Sequence, residues 1–160
     1  MIIAGYQGIG KSTYAAKYPK CIDLESSSFF IDGVRPKDWH VLYCNVAMNL
    51  SQQGYFVFIS SHKVVRDYLA ENAREEDLIL IFPSVSLKDQ WLQKLKARYD
   101  ETGAAKDYRA WKNAEECYEC SIKELRDQRG FECLAITDIN YNLGDYLNCI
   151  SEVKRNYDET

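Results

Sequence analysis

The chain has 160 residues, of which 46% are apolar and 28% charged, and a net charge of −4. That length suits one domain built round a single substantial core, and that composition excludes a fibrous or disordered chain. The acidic balance argues against sequence-independent capture of nucleic acid, which needs a basic face to displace counterions.

No apolar run approaches the ~18–20 residues that cross a bilayer, so no membrane partner is expected. The N-terminus lacks a basic segment followed by an apolar core and a small-residue cleavage site, which points to the cytoplasm. Six cysteines, at 21, 44, 117, 120, 133 and 149, are scattered through segments with helical or strand character. They read as reduced thiols acting as small apolar residues. Cys117 and Cys120 form one C-x-x-C in a helical stretch, with no second pair at zinc spacing, and no function is assigned to it.

Taken in chain order, short apolar runs alternate with longer helical patterns, as in a parallel sheet made of strand-helix-strand units. Residues 2–4 form the first strand and 12–18 a short helix. Residues 21–24 form a second strand, and 36–53 a helix with Trp39, Leu42, Tyr43, Val46 and Leu50 at helical spacing, Pro36 in its first turn and Gly54 at its stop. YFVFI at 55–59 and LILIF at 78–82 are continuous apolar runs, expected of central strands covered on both faces. Between them 63–72 suits a helix. Leu87, Trp91, Leu95 and Tyr99 mark one side of the next helix, and Trp111, Ala114, Tyr118, Ile122 and Leu125 run along a helix over 106–129 that ends at Gly130. Residues 131–136 make a fifth strand, and Leu143, Tyr146, Leu147, Ile150 and Val153 a last helix. These aromatic and leucine stripes read as packing.

Gly5-Tyr6-Gln7-Gly8-Ile9-Gly10-Lys11-Ser12 matches G-x-x-x-x-G-K-S/T in full, directly after a strand and before a helix. The glycines let the backbone curl so that N–H groups converge on an anion. Gly8, Ile9, Gly10, Lys11, Ser12 and Thr13 are therefore the expected nucleotide-binding residues. Lys11 supplies charge for the β- and γ-phosphates and Ser12 a hydroxyl for Mg²⁺.

In CIDLESSSFF, Asp23 and Glu25 stand two apart at the predicted C-terminal end of the second strand, with Ile22 and Leu24 directed to the opposite face. Ligands of an open parallel sheet collect at that end. A carboxylate there can hold the Mg²⁺ shell or orient an acceptor hydroxyl, or it can simply begin a solvated loop.

With this strand, loop and acidic pair, five expected strands and a basic helix after the fourth, the chain resembles the small P-loop kinases, the nucleoside monophosphate kinase and shikimate kinase group. It is also similar to small kinase-like proteins encoded by phages and prophages. The resemblance implies an α/β P-loop NTPase fold over residues 1–160, three layers with a five-stranded parallel sheet in the order 2-3-1-4-5. It further implies ATP and Mg²⁺, with Lys11 on the β- and γ-phosphates, Ser12 on the metal, Asp23 near its water shell, Glu25 near the acceptor, and residues 137–140 beside the adenine. The third strand departs from the common pattern: it ends in Phe58-Ile59-Ser60-Ser61-His62 without an acid. His62 can accept a proton, bind substrate or cap the following helix.

The basic helix carries Lys88, Lys94, Lys96 and Arg98, followed by Lys106 and Arg109. Kinases of this group use lid arginines here to neutralise the transferring group and exclude water, so the resemblance implies a lid around 94–109 with its tip at 100–106, and Arg98 and Arg109 on phosphate; with Asp100, Glu101 and Asp107 interleaved, the same cations also suit an ordinary solvated face. Phe29, Phe30, Arg35 and Trp39 fall where such kinases bind their second substrate, where they suit a nucleobase and its phosphate or, equally well, a helix core, and Tyr6 and Gln7 fall near the edge of that site. The expected activity is ATP-dependent transfer of the γ-phosphate to a small acceptor, a nucleotide or nucleoside first and another hydroxylated metabolite second. The alternative is a nucleotide-binding regulatory or assembly module with slow or no hydrolysis.

Overall fold

Residues 2–4 are buried on both sides because the strand they form is the middle of a sheet. In the computed structural model, which describes residues 1–148 and 150, β1 (Ile2–Gly5) pairs in parallel with β3 (Phe56–Ser60) on one side and β4 (Leu78–Pro83) on the other. β2 (Cys21–Asp23) flanks β3 and β5 (Glu132–Ile136) flanks β4. The result is a five-stranded, all-parallel sheet in the order β2-β3-β1-β4-β5, the order expected above. Every residue of β4 is buried, and so are the three middle residues of β3. The continuous apolar runs there are what a strand covered by helices on both faces requires.

The helices are α1 (Lys11–Ala15), α2 (Trp39–Gln52), α3 (Lys63–Asn72), α4 (Lys88–Thr102) and α5 (Ala105–Arg126), with residues 143–148 and 150 helical as well. The chain moves from β1 towards β2 in one direction and then from β2 through β3 and β4 to β5 in the other. With right-handed crossovers, α1 takes one face and the later connections the opposite one. The loop leaving β1 therefore diverges from those leaving β3 and β4, and a crevice opens at the C-terminal edge of the sheet.

Several local expectations shift. α2 starts at Trp39 rather than Pro36, since 36–39 closes as a turn, with Trp39 N–H bonded to Pro36 O. Leu42 of its stripe is exposed. α1 stops at Ala15 and α5 at Arg126, short of 18 and 129. Gly130, with φ of 80°, turns the chain two residues before β5, where a side chain would press on Ala70 of α3. α5 is broken at Cys117 (φ −146°, ψ 33°). Cys117 and Cys120 are exposed thiols rather than core residues, whereas Cys44 is buried. Cys149 and Val153 lie outside the described residues.

Residues 100–106, the expected lid tip, hold the turn between two helices: α4 runs to Thr102, Gly103 takes the left-handed conformation (φ 61°) that closes it, and α5 begins at Ala105. Thr102 Oγ1 accepts from Ala104 N–H and donates to Asp107, a side-chain cap at the turn. The segment is a tight helical hairpin.

Candidate functional site

The crevice at the strand ends holds a cavity of about 1280 Å³, walled by residues 5–14, by Asp23 to Ser26, by Ser60 to Lys63, by α4 and α5, and by residues 139–143. Its cations (Lys11, Lys17, Lys63, Arg66, Lys94, Arg98, Lys106) outnumber its acids (Asp23, Glu25, Asp107, Glu124) although the whole chain is acidic. Charge is thus segregated to favour an anionic ligand.

The loop from β1 to α1 forms the floor. Its glycines Gly8 and Gly10 have φ of 86° and 101°, values open to glycine and costly to other residues. Among the described residues, the N–H groups of Gly8, Gly10, Lys11, Ser12 and Thr13 have no acceptor. Those of Gly10, the N-cap of α1, and of Lys11, Ser12 and Thr13 are the four ordinary orphan donors of a helix start. That of Gly8 is not, and it adds a donor further back along the loop.

Lys11 Nζ folds over the loop to Gly5 O at 3.0 Å. Burial pushes its pKa below the usual lysine value, the Asp23 and Glu25 charges push the other way, and Arg98 adds to the depression. Ser12 Oγ donates to Asp23 Oδ2 at 2.6 Å. These two oxygens, hard donors side by side on the cavity wall, fit a small divalent cation that takes its other ligands from phosphate and water. Among the described residues there is no cluster of three or more His, Cys, Asp or Glu that could hold a metal alone.

Glu25 lies beyond the end of β2, not on it, so its place does not come from strand alternation. It reaches Lys106 of α5 at 4.0 Å, across the cavity from one wall to the other. Arg98 also lines the cavity, with Nε 2.9 Å from Asp107 Oδ1. Asp107 is buried, and its other oxygen accepts from Thr102. Arg109 is exposed and does not line the cavity. Of residues 137–140, Ile139 and Asn140 line it and Thr137 and Asp138 do not.

His62 does not cap α3 with its side chain. Its Nδ1 lies 2.8 Å from Ser60 Oγ, and its ring meets Trp39 edge-on. Burial first, then the charges of Arg35, Lys11 and Arg66, lower its pKa and favour the neutral ring. Arg35 lies over both the Phe30 and Trp39 rings, at 5.0 and 4.5 Å from their centroids, while Phe29 packs on Tyr43. These four residues do not line the cavity itself. Tyr6 is buried against Tyr118, and Gln7 Nε2 donates to Ala110 O, so both tie the loop to α5. Arg66, fully buried, is spent on Ser61 O, Gln128 and Glu124.

Four contributors escaped sequence reasoning. Tyr43 sat in a packing stripe, yet its hydroxyl donates to Leu24 O and accepts from Ser60 N–H, bracing the ends of β2 and β3. Trp91, in another stripe, donates to Gln7 O, Tyr141 donates to Ile9 O, and Asp107 holds Arg98. A helical period marks which residues turn inward but not which of them spends a polar atom there. Comparison of the chain with protein-family models, with curated proteins and with solved structures finds no match, so the functional case rests on this geometry.

Proposed function

We propose that the chain is a P-loop kinase, an ATP-dependent phosphotransferase that moves the γ-phosphate to a small acceptor, with a nucleotide or nucleoside favoured. The observation that carries this reading is the row of donors at Gly8, Gly10, Lys11, Ser12 and Thr13, unaccepted among the described residues, on the floor of a cationic cavity. A sequence that matches G-x-x-x-x-G-K-S/T and also folds into such a floor suits a triphosphate.

In this reading the loop amides and Lys11 hold the β- and γ-phosphates, and residues 139–140 flank the base. Ser12 and Asp23 would hold Mg²⁺, which neutralises phosphate charge. Arg98, set on α4 by Asp107, answers the charge that develops on the transferring group. Glu25 and the neutral His62 stand on the wall opposite α4, suited to orient an acceptor hydroxyl. Arg35, outside the cavity, lies near enough to bias His62. Closure of the α4–α5 hairpin over the ligand would move two packed helices together rather than order a loop.

The test is ATP consumption in the presence of nucleotides, nucleosides and hydroxylated metabolites, with Lys11→Ala as control. At least one acceptor raises turnover well above the control. Tight ATP binding without any acceptor dependence would favour the regulatory module instead, a reading that the acid-free end of β3 keeps in view.

A further inference from the structure

We propose that Trp91 and Tyr141 are positioning residues that grip two carbonyls of the 5–12 loop and so aim the Gly8 and Gly10 amides at the phosphates. This deepens the nucleotide-binding reading and rests on it.

Trp91 Nε1 donates to Gln7 O at 3.0 Å, and Tyr141 Oη donates to Ile9 O at 2.6 Å. In a planar trans peptide the C=O and the following N–H point in opposite directions. Pinning the 7–8 peptide by its oxygen therefore sets the Gly8 N–H away from Trp91, and pinning the 9–10 peptide sets the Gly10 N–H away from Tyr141. Both N–H groups lack an acceptor among the described residues. The two grips fall on alternate peptides of the loop, each next to a glycine whose positive φ leaves the chain few other ways to hold its direction.

The grips are themselves tied together. The Trp91 and Tyr141 rings stack at 6.0 Å and 17°, and Lys94 lies over both, 4.4 and 4.9 Å from their centroids. Lys94 Nζ also donates to Tyr141 Oη at 3.1 Å. A cation donating into a hydroxyl that in turn donates to a carbonyl strengthens the second bond, and the polarised peptide becomes a better N–H donor. Leu95 completes the seat: a side chain at Gly8 would come within 2.8 Å of it. Trp91 is fully buried, yet its only polar atom is spent on the loop rather than on its own helix.

The test uses inorganic tripolyphosphate and ATP as probes on the full chain, with binding read by calorimetry and the glycine amides by ¹H–¹⁵N spectra. Tyr141→Phe keeps the ring stack and removes the one hydroxyl; we expect tripolyphosphate affinity to fall about 5- to 20-fold and the binding-induced shift of the Gly10 amide to shrink. Lys94→Met, which keeps the aliphatic stem, is expected to weaken binding in the same direction but less. Trp91→Phe should act on the Gly8 amide, and if it fails to fold the two other variants still decide the matter. A Tyr141→Phe protein of lower thermal stability that binds tripolyphosphate as tightly as the parent, with an unchanged Gly10 response, would show a purely structural role and overturn the proposal. Should the parent chain bind neither probe, the nucleotide-binding reading itself falls, and the proposal with it.

Discussion

At the residue scale, two side chains link burial to chemistry most directly. Lys11 has its pKa depressed below the usual 10.5, chiefly by burial. A phosphate arriving beside it draws the pKa back up, so ATP affinity should fall as pH rises through the depressed value, by up to about tenfold per unit until the bound-state pKa is reached. Titrations from neutral pH up towards the usual lysine value would show this slope, and Lys11→Arg should flatten it, since guanidinium stays charged. Tyr43 carries the opposite signature: burial raises its phenol to about 12 from 10.0. A raised acid contributes stability that is complete below its unfolded pKa and disappears as pH climbs through the folded one. Tyr43→Phe leaves Leu24 O and Ser60 N–H unpaired and should cost about 1–3 kcal/mol by urea denaturation at neutral pH. That gap should narrow between pH 10 and 12.

At the element scale, the α4–α5 hairpin shows how a turn can serve a site. Gly103 closes α4, Thr102 caps the turn, and the buried Asp107 binds both Thr102 and Arg98. The connection that shapes the hairpin thus also holds the arginine. Asp107→Asn keeps the volume but removes the charge that orients Arg98. Because Arg98 is about half exposed, the cost in stability should be modest, about 1–2 kcal/mol rather than the larger figure for a fully buried pair. The loss in kcat should be at least tenfold if Arg98 answers transition-state charge, with KM for ATP less affected. Single-turnover kinetics on Asp107→Asn beside Arg98→Lys would separate the two effects.

At the scale of the whole molecule, the site exists because distant segments meet at one edge of the sheet. Residues of β1, the end of β2, the end of β3, α4, α5 and the stretch after β5 all reach the same cavity. A ligand bridging them should stabilise the folded chain as a unit. At ATP concentrations about 100-fold above Kd, the gain of about 2.7 kcal/mol should raise Tm by roughly 5–10 °C for a chain of this size. Thermal melts with and without ATP check this, and Lys11→Ala should lose most of the shift.

The strands were legible in the sequence because parallel strands buried on both faces must be uninterrupted apolar runs. Their order was legible only through a resemblance, since no local pattern states which strand neighbours which. Gly8, Gly10, Lys11 and Ser12 stood out because a curled, donor-rich loop needs glycine and a cation at fixed spacing. Glu25 was placed by an alternation that the short β2 does not sustain. The lid tip expected at 100–106 was read from Gly103 and its alanines, and the capping of that turn by Thr102 and Asp107 left no mark in the local sequence pattern. The sequence by itself determined a parallel α/β domain with a glycine-rich loop after its first strand, because strand burial and glycine conformation are short-range constraints. Tertiary structure alone decided that Trp91 and Tyr141, 84 and 132 residues from the carbonyls they bind, would set the loop's shape, because a side chain's partner across the fold leaves no trace in its own neighbourhood.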